Sequence, residues 1–169
     1  MQSSTTELVV SVCTILNKHS VRYMLIGGAA VALYGYQRQS RGPFDTIIEK
    51  PDIDIWYDPL YPNYFKLLDA LEEWGEDMKQ YKEETTPAPL HSFFRFDRSD
   101  CTFDFLPIVE GLSKFKDSFN TRSVVKAGGS ELHVISIDDL IKAKLHHGRP
   151  KDLEDVEQLR RINNSNDTP

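Results

Sequence analysis

Two cysteines, Cys13 and Cys101, are all the sequence contains, and they lie far apart. Neither a disulfide framework nor a cysteine-based metal site is therefore expected. No apolar run approaches the roughly 20 residues a membrane helix needs. The longest, from Met24 to Tyr36, is broken by glycines. The opening MQSSTTELVV lacks the basic, then apolar, then small-residue order of a secretory signal. These absences lead to the expectation of a cytoplasmic protein that makes no membrane contact. Positive charge is also in deficit: 20 Lys and Arg stand against 26 Asp and Glu, for a net charge of −6. That argues against a protein that coats nucleic acid through its overall field. Internal repeats and linkers are missing too, so one domain over residues 1–162 is expected, with a frayed tail at 163–169.

The 169 residues are 40% hydrophobic and 27% charged, the balance of an ordered globule large enough to bury a core. Charge is unevenly placed. From Lys66 to Glu84 acids dominate, whereas Lys114, Lys116, Arg122, Lys126, Lys142, Lys144, Arg149 and Lys151 make the C-terminal third basic.

Hydrophobic spacing predicts a helix over Thr6 to His19, a short strand at Arg22 to Ile26, and a small-residue helix at Ala29 to Tyr34. Gln37 to Pro51 carries Gly42-Pro43 and reads as a loop, with a short extended piece at Thr46 to Ile48. Asp52 to Tyr57 (DIDIWY) alternates with the strand period, and a helix follows Pro62 with Tyr64, Leu67, Leu68, Leu71 and Trp74 on one face. HSFFRF (His91 to Phe96) and CTFDFL (Cys101 to Leu106) flank the turn residues Asp97 to Asp100 and predict a hairpin. Phe93, Phe94, Phe96, Phe103 and Phe105 are expected in the core. A second hairpin is expected across Gly128-Gly129, then helices at Ile137 to His147 and Lys151 to Ile162.

Strand alternation carries the first chemical expectation. Asp52 and Asp54 project from one face while Ile53 and Ile55 are buried on the other; in CTFDFL the same rule puts Thr102 and Asp104 opposite Phe103 and Phe105. If the two strands are neighbours, three carboxylates converge and raise one another's pKa unless a cation neutralises them. Oxygen-only ligands select a hard ion, Mg²⁺ or Mn²⁺, of the kind that serves phosphoryl and nucleotidyl transfer. Asp152-x-Glu154 and Asp155-x-Glu157 share the spacing, but residues two apart on a helix diverge. Gly27-Gly28, between strand and helix, lets backbone N–H groups approach a phosphate closely. No Gly-Lys-Ser/Thr ending follows, so a P-loop is excluded, and the dinucleotide fingerprint fails for want of a third glycine.

At the cationic end, Lys144 falls in the middle of the apolar stripe formed by Ile137, Leu140 and Ile141, while Lys142 faces away. An inward lysine needs an anionic partner, a triphosphate or one of the aspartates, or must snorkel to water. On the last helix Leu153, Val156 and Leu159 read as the core stripe. Asp152, Glu154 and Asp155 read as first-turn acids that complement the helix dipole, with a Lys151–Asp155 pair as one option. His146 and His147 read as an exposed helix end rather than metal ligands.

Taken together, LIGGAAVALYGYQRQS, PDIDIWYD and FDFLP resemble the nucleotidyltransferase superfamily, specifically its minimal bacterial branch with toxin-type and antibiotic-modifying members. The closing SIDDLIKAKLHHGRPKDLEDVEQL is similar to that branch as well, so the resemblance spans about Arg22 to Leu159. It implies an α/β (α+β) fold, a nucleotidyltransferase-like mixed sheet flanked by helices with further helices at the C-terminus. It also implies an enzyme that moves an NMP from an NTP to a hydroxyl acceptor and releases pyrophosphate. Asp52, Asp54 and Asp104 would be the catalytic carboxylates and the ligands of Mg²⁺ (or Mn²⁺). Gly27, Gly28, Arg38, Ser40, Arg41, Lys144 and Lys151 would bind the nucleotide.

A tRNA, a protein and a small molecule all stay open as acceptor, and toxin-type relatives suggest an antitoxin-like protein partner. Two departures stand out: the insertion from Gly42 to Pro51 makes Arg38 and Arg41 rivals for the phosphate-facing position, and no large added helical domain is present. The alternatives are a non-catalytic domain of the same fold that binds a nucleotide or partner, and an unrelated α/β module whose aspartates hold a structural cation.

Overall fold

A computed structural model describes residues 3–35 and 50–166. The expected Arg38, Ser40 and Arg41, and the extended piece at Thr46 to Ile48, lie outside these residues. The described elements are α1 (Ser3–Lys18), β1 (Tyr23–Leu25), α2 (Gly27–Leu33), β2 (Asp52–Tyr57), α3 (Tyr61–Glu73), α4 (Lys79–Lys82), β3 (Phe94–Asp97), β4 (Thr102–Leu106), α5 (Phe115–Asn120), β5 (Ser123–Ala127), β6 (Ser130–Val134), α6 (Ile137–His147) and α7 (Pro150–Asn166). The strands form one mixed sheet in the order β3-β4-β2-β1-β6-β5. Strands β2 and β4 run parallel, as do β1 and β6; the other neighbours are antiparallel. Among the described residues no helix is long and apolar enough to cross a membrane.

Alternation decides which side chains are covered. Ile53, Ile55, Phe103 and Phe105 are fully buried, and the Trp74 ring at the end of α3 meets Phe96, Phe103 and Phe105 edge-on. Helix α1 buries Val9, Val12, Cys13 and Leu16 at helical spacing. The hairpin between β5 and β6 closes on Gly128 and Gly129, both at positive φ, as a two-residue turn matching strand twist requires. The Tyr34 hydroxyl donates to the Ile135 carbonyl at 2.6 Å and so ties the end of α2 to the segment after β6.

Several boundaries differ from expectation. The first hairpin strand begins at Phe94 rather than His91, because Pro89–His91 forms a 3₁₀ turn whose carbonyl at Pro89, with that of Ser92, accepts the Tyr57 hydroxyl. Phe93, expected in the core, is about half exposed at 48%, since it precedes the strand on the face opposite Phe94. Leu153 is likewise exposed at 50%; its expected place on the core stripe of α7 is taken by Asp152 and Asp155, which are buried with Val156 and Leu159. The last helix, expected from Lys151 to Ile162, spans Pro150–Asn166; apolar periodicity stops at Ile162, and a Glu157–Arg161 pair supports the final turns.

Candidate active site

The register between β2 and β4 sets the site. Asp54 lies directly opposite Asp104, and Asp52 opposite Thr102. Neighbouring strands are about 5 Å apart, so the carboxylates of Asp54 and Asp104 rise side by side from the face opposite the Ile53–Phe103 layer. Asp52 is exposed at the strand entrance, Asp54 is partly buried, and Asp104 is buried. Asp58, just past the end of β2, stands apart from this group and pairs with Arg22 at 2.6 Å.

The glycine turn is joined to this strand. The Ile26 N–H donates to the Asp54 carbonyl at 3.0 Å, which sets Gly27 against the Asp54 side chain. Gly27 has φ +60°, and a Cβ there would fall 2.3 Å from Asp54 Oδ2. Both the left-handed backbone and the contact require glycine. Among the described residues a Cβ on Gly28 would meet nothing within 4 Å. The first intrahelical bond of α2 runs from the Ala30 N–H to the Ile26 carbonyl, so the Gly27, Gly28 and Ala29 amides precede the ladder.

Asp54 is electrostatically loaded. Its pKa is pushed up to about 6, first by burial, then by the charges of Asp104 and Asp52; Lys144 and Arg95 oppose the rise. Among the described residues no donor bonds its side chain. A carboxylate held above its ordinary range by burial and by like charges is a group that a cation would stabilise.

The cations are arranged differently from expectation. Lys144 is buried, as its place on the α6 stripe predicts, and it does not snorkel: Nζ lies 2.7 Å from Asp155 Oδ2 and 3.6 Å from Asp152 Oδ1. Arg149 donates from Nε to Asp152 Oδ2 at 2.6 Å, with Nη2 3.3 Å from Oδ1. Burial would raise the Asp152 pKa, but the Arg149 hydrogen bond and the charges of Lys144 and Arg149 hold it below the ordinary carboxylate range. The α7 acids thus bind the α6 lysine rather than only complementing a helix dipole. Lys151 is exposed on the first turn of α7.

Asp104 also has a partner that sequence reasoning missed. Arg95, its register neighbour on edge strand β3, donates Nε to Oδ1 at 2.7 Å and Nη2 to Oδ2 at 2.6 Å. Both Asp104 oxygens are engaged. Asp52 and Asp54 fit a hard divalent cation, with oxygen donors and an excess of negative charge at Asp54, whereas the charge of Asp104 is already met by Arg95, with which an ion there would compete. In this arrangement no cage of three or more His, Cys, Asp or Glu is assembled among the described residues. His146 and His147 are exposed and lie 4.0 and 3.8 Å from Glu110, outside this group.

No family model matches the sequence, and no curated protein matches it. Solved structures do match. A putative nucleotidyltransferase from Thermotoga maritima aligns with a TM-score of 0.58 at 17% identity over 98% of this chain and 96% of that one. A lincosamide antibiotic adenylyltransferase, solved with lincomycin bound, aligns with a TM-score of 0.53 at 23% identity over 88% and 92%. The antibiotic-resistance factor ANT(2'')-Ia aligns with a TM-score of 0.51 at 14% identity over 98% and 94%. The chain has the nucleotidyltransferase fold.

Proposed function

We propose that this chain transfers a nucleoside monophosphate from an NTP to a hydroxyl-bearing acceptor and releases pyrophosphate. The observation that carries this reading is Asp54 standing beside Asp104 on adjacent parallel strands, against a glycine turn that opens a helix. Two of the similar folds bear on it, since one is described as an adenylyltransferase and another as a putative nucleotidyltransferase.

In this reading Asp52 and Asp54 hold Mg²⁺ or Mn²⁺, which would neutralise the triphosphate and favour attack at the α-phosphorus. The Gly27 and Gly28 amides receive non-bridging phosphate oxygens, for which a helix's first turn supplies unpaired donors. Arg149 and Lys151, with Arg38 or Arg41 and Ser40, supply positive charge and donors toward the departing pyrophosphate. Lys144, fixed by Asp155 and Asp152, acts from behind the site by its charge on Asp54. Asp104 receives the proton of the acceptor hydroxyl. Two free, buried cysteines suit a reducing compartment, and we place the reaction in the cytoplasm.

A second reading, a non-catalytic domain of this fold that binds a nucleotide, is favoured by one observation: the Arg95 fork that occupies Asp104. Parallel incubations with [α-³²P]NTP and [γ-³²P]NTP, a divalent cation and cell extract separate the two. Transfer of an NMP places the α label, but not the γ label, on an acceptor and releases pyrophosphate. A cation-dependent thermal shift with NTP, no labelled acceptor and no pyrophosphate would assign the chain to the second reading.

A further inference from the structure

Three side chains lie in register across the sheet: Arg95 on β3, Asp104 on β4 and Asp54 on β2. Arg95 is hydrogen-bonded to the outer of two neighbouring acids, Asp104, while Lys144 and Arg95 reach Asp54 only by their charge. Asp104 is 6% exposed, while the Arg95 side chain is 54% exposed on an edge strand, its guanidinium 5.9 Å from the Phe93 ring centroid. The buried acid is fixed by its strand on both sides, whereas the arginine comes in from the rim and has solvent to return to.

We propose that Arg95 is a displaceable counter-ion, a positioning residue that holds Asp104 until a divalent cation takes over its charge. This rests on the reading that Asp52, Asp54 and Asp104 form a cation site. A buried carboxylate beside another carboxylate needs a positive partner whether or not an ion is present. The bidentate fork supplies it, with two charge-assisted hydrogen bonds that fix the plane of the Asp104 carboxylate. The same two bonds place a guanidinium charge on both oxygens, so an ion shared between Asp54 and Asp104 meets a cation already seated on one of its ligands and is repelled by its charge. Arg95 then competes with the ion and lowers its apparent affinity, and it keeps Asp104 from remaining unpaired when the site is empty.

The test is Mn²⁺ titration of the full chain, followed by loss of the free-ion electron paramagnetic resonance signal, at fixed pH and salt. Arg95→Met removes the competitor and is expected to bind Mn²⁺ about tenfold tighter or more than wild type. Arg95→Lys keeps the charge but engages one oxygen at a time, and is expected to fall between them. Adding Asp54→Asn to Arg95→Met should erase the gain. Equal or weaker Mn²⁺ binding by Arg95→Met overturns the proposal. If wild type binds Mn²⁺ and Asp54→Asn weakens it while Arg95→Met changes nothing, only the role of Arg95 fails. If neither wild type nor Arg95→Met binds, the cation reading fails with it. Should Arg95→Met not fold, Arg95→Lys decides, an unchanged affinity counting against the proposal.

Discussion

Asp54→Asn is expected to reduce nucleotidyl transfer by about 10³-fold or more while making the cation-free protein more stable near neutral pH. The two effects have one cause. Burial and the charges of Asp104 and Asp52 raise the folded-state pKa of Asp54 to about 6, against 3.8 for the free side chain. Below about pH 4 the group is protonated in both states and contributes nothing to the balance. Between about pH 4 and 6 the unfolded chain ionises first while the folded protein keeps its proton. The unfolded state therefore binds fewer protons, and stability falls as pH rises through this window. Above it the loss is complete, on the order of 2–3 kcal/mol. Asparagine cannot ionise, so the variant lacks this slope, and chemical denaturation at pH 4 and pH 7 reads the difference. Equal stability of variant and wild type at both pH values would show that Asp54 is not loaded as described. Undiminished [α-³²P]NTP incorporation would remove it from the chemistry.

Lys144→Met is expected to destabilise the fold by about 3 kcal/mol, the lower end of what breaking a buried ion pair costs. Asp155 and Asp152 are both buried, and Lys144 Nζ is 2.7 Å from the first and 3.6 Å from the second. Arg149 continues to serve Asp152, which keeps the expected loss from being larger. The double variant Lys144→Met with Asp155→Leu replaces the pair by apolar groups and should recover to within about 1 kcal/mol of wild type. Transfer activity should not recover with it, because the lysine's charge on Asp54 is gone. A loss of less than about 1 kcal/mol in the single variant would mean that the α6–α7 contact does not depend on this pair.

How far these features are legible without coordinates depends on whether a local period fixes them. DIDIWY and TFDFL alternate strictly, so the faces of Asp52, Asp54 and Asp104 follow from the sequence, and the helix over Ile137 to His147 follows from its stripe. Arg95 was within reach: a hairpin turning between Asp97 and Thr102 places it opposite Asp104. The alternation rule orders side chains along one strand and is silent about the cross-strand neighbour, so the arginine escapes it. Asp152 and Asp155 are hidden for a different reason. On α7 alone Leu153, Val156 and Leu159 make an adequate apolar stripe, and only the lysine buried on α6 rotates the covered face onto the acids. Pairing between two elements carries no period along the chain, so a buried charge on one helix selects the phase of the next.

The central claim is that the carboxylates of β2 and β4, beside the Gly27 turn, form a cation-dependent nucleotide site. Backbone amide resonances of the ¹⁵N-labelled chain, recorded with an NTP and substoichiometric Mn²⁺, test it most directly. The account predicts that residues 26–29, 52–55 and 103–105 broaden first, and that Asp54→Asn abolishes this pattern. Broadening confined to the acidic stretch from Lys66 to Glu84, or the same pattern in the Asp54→Asn variant, would contradict it.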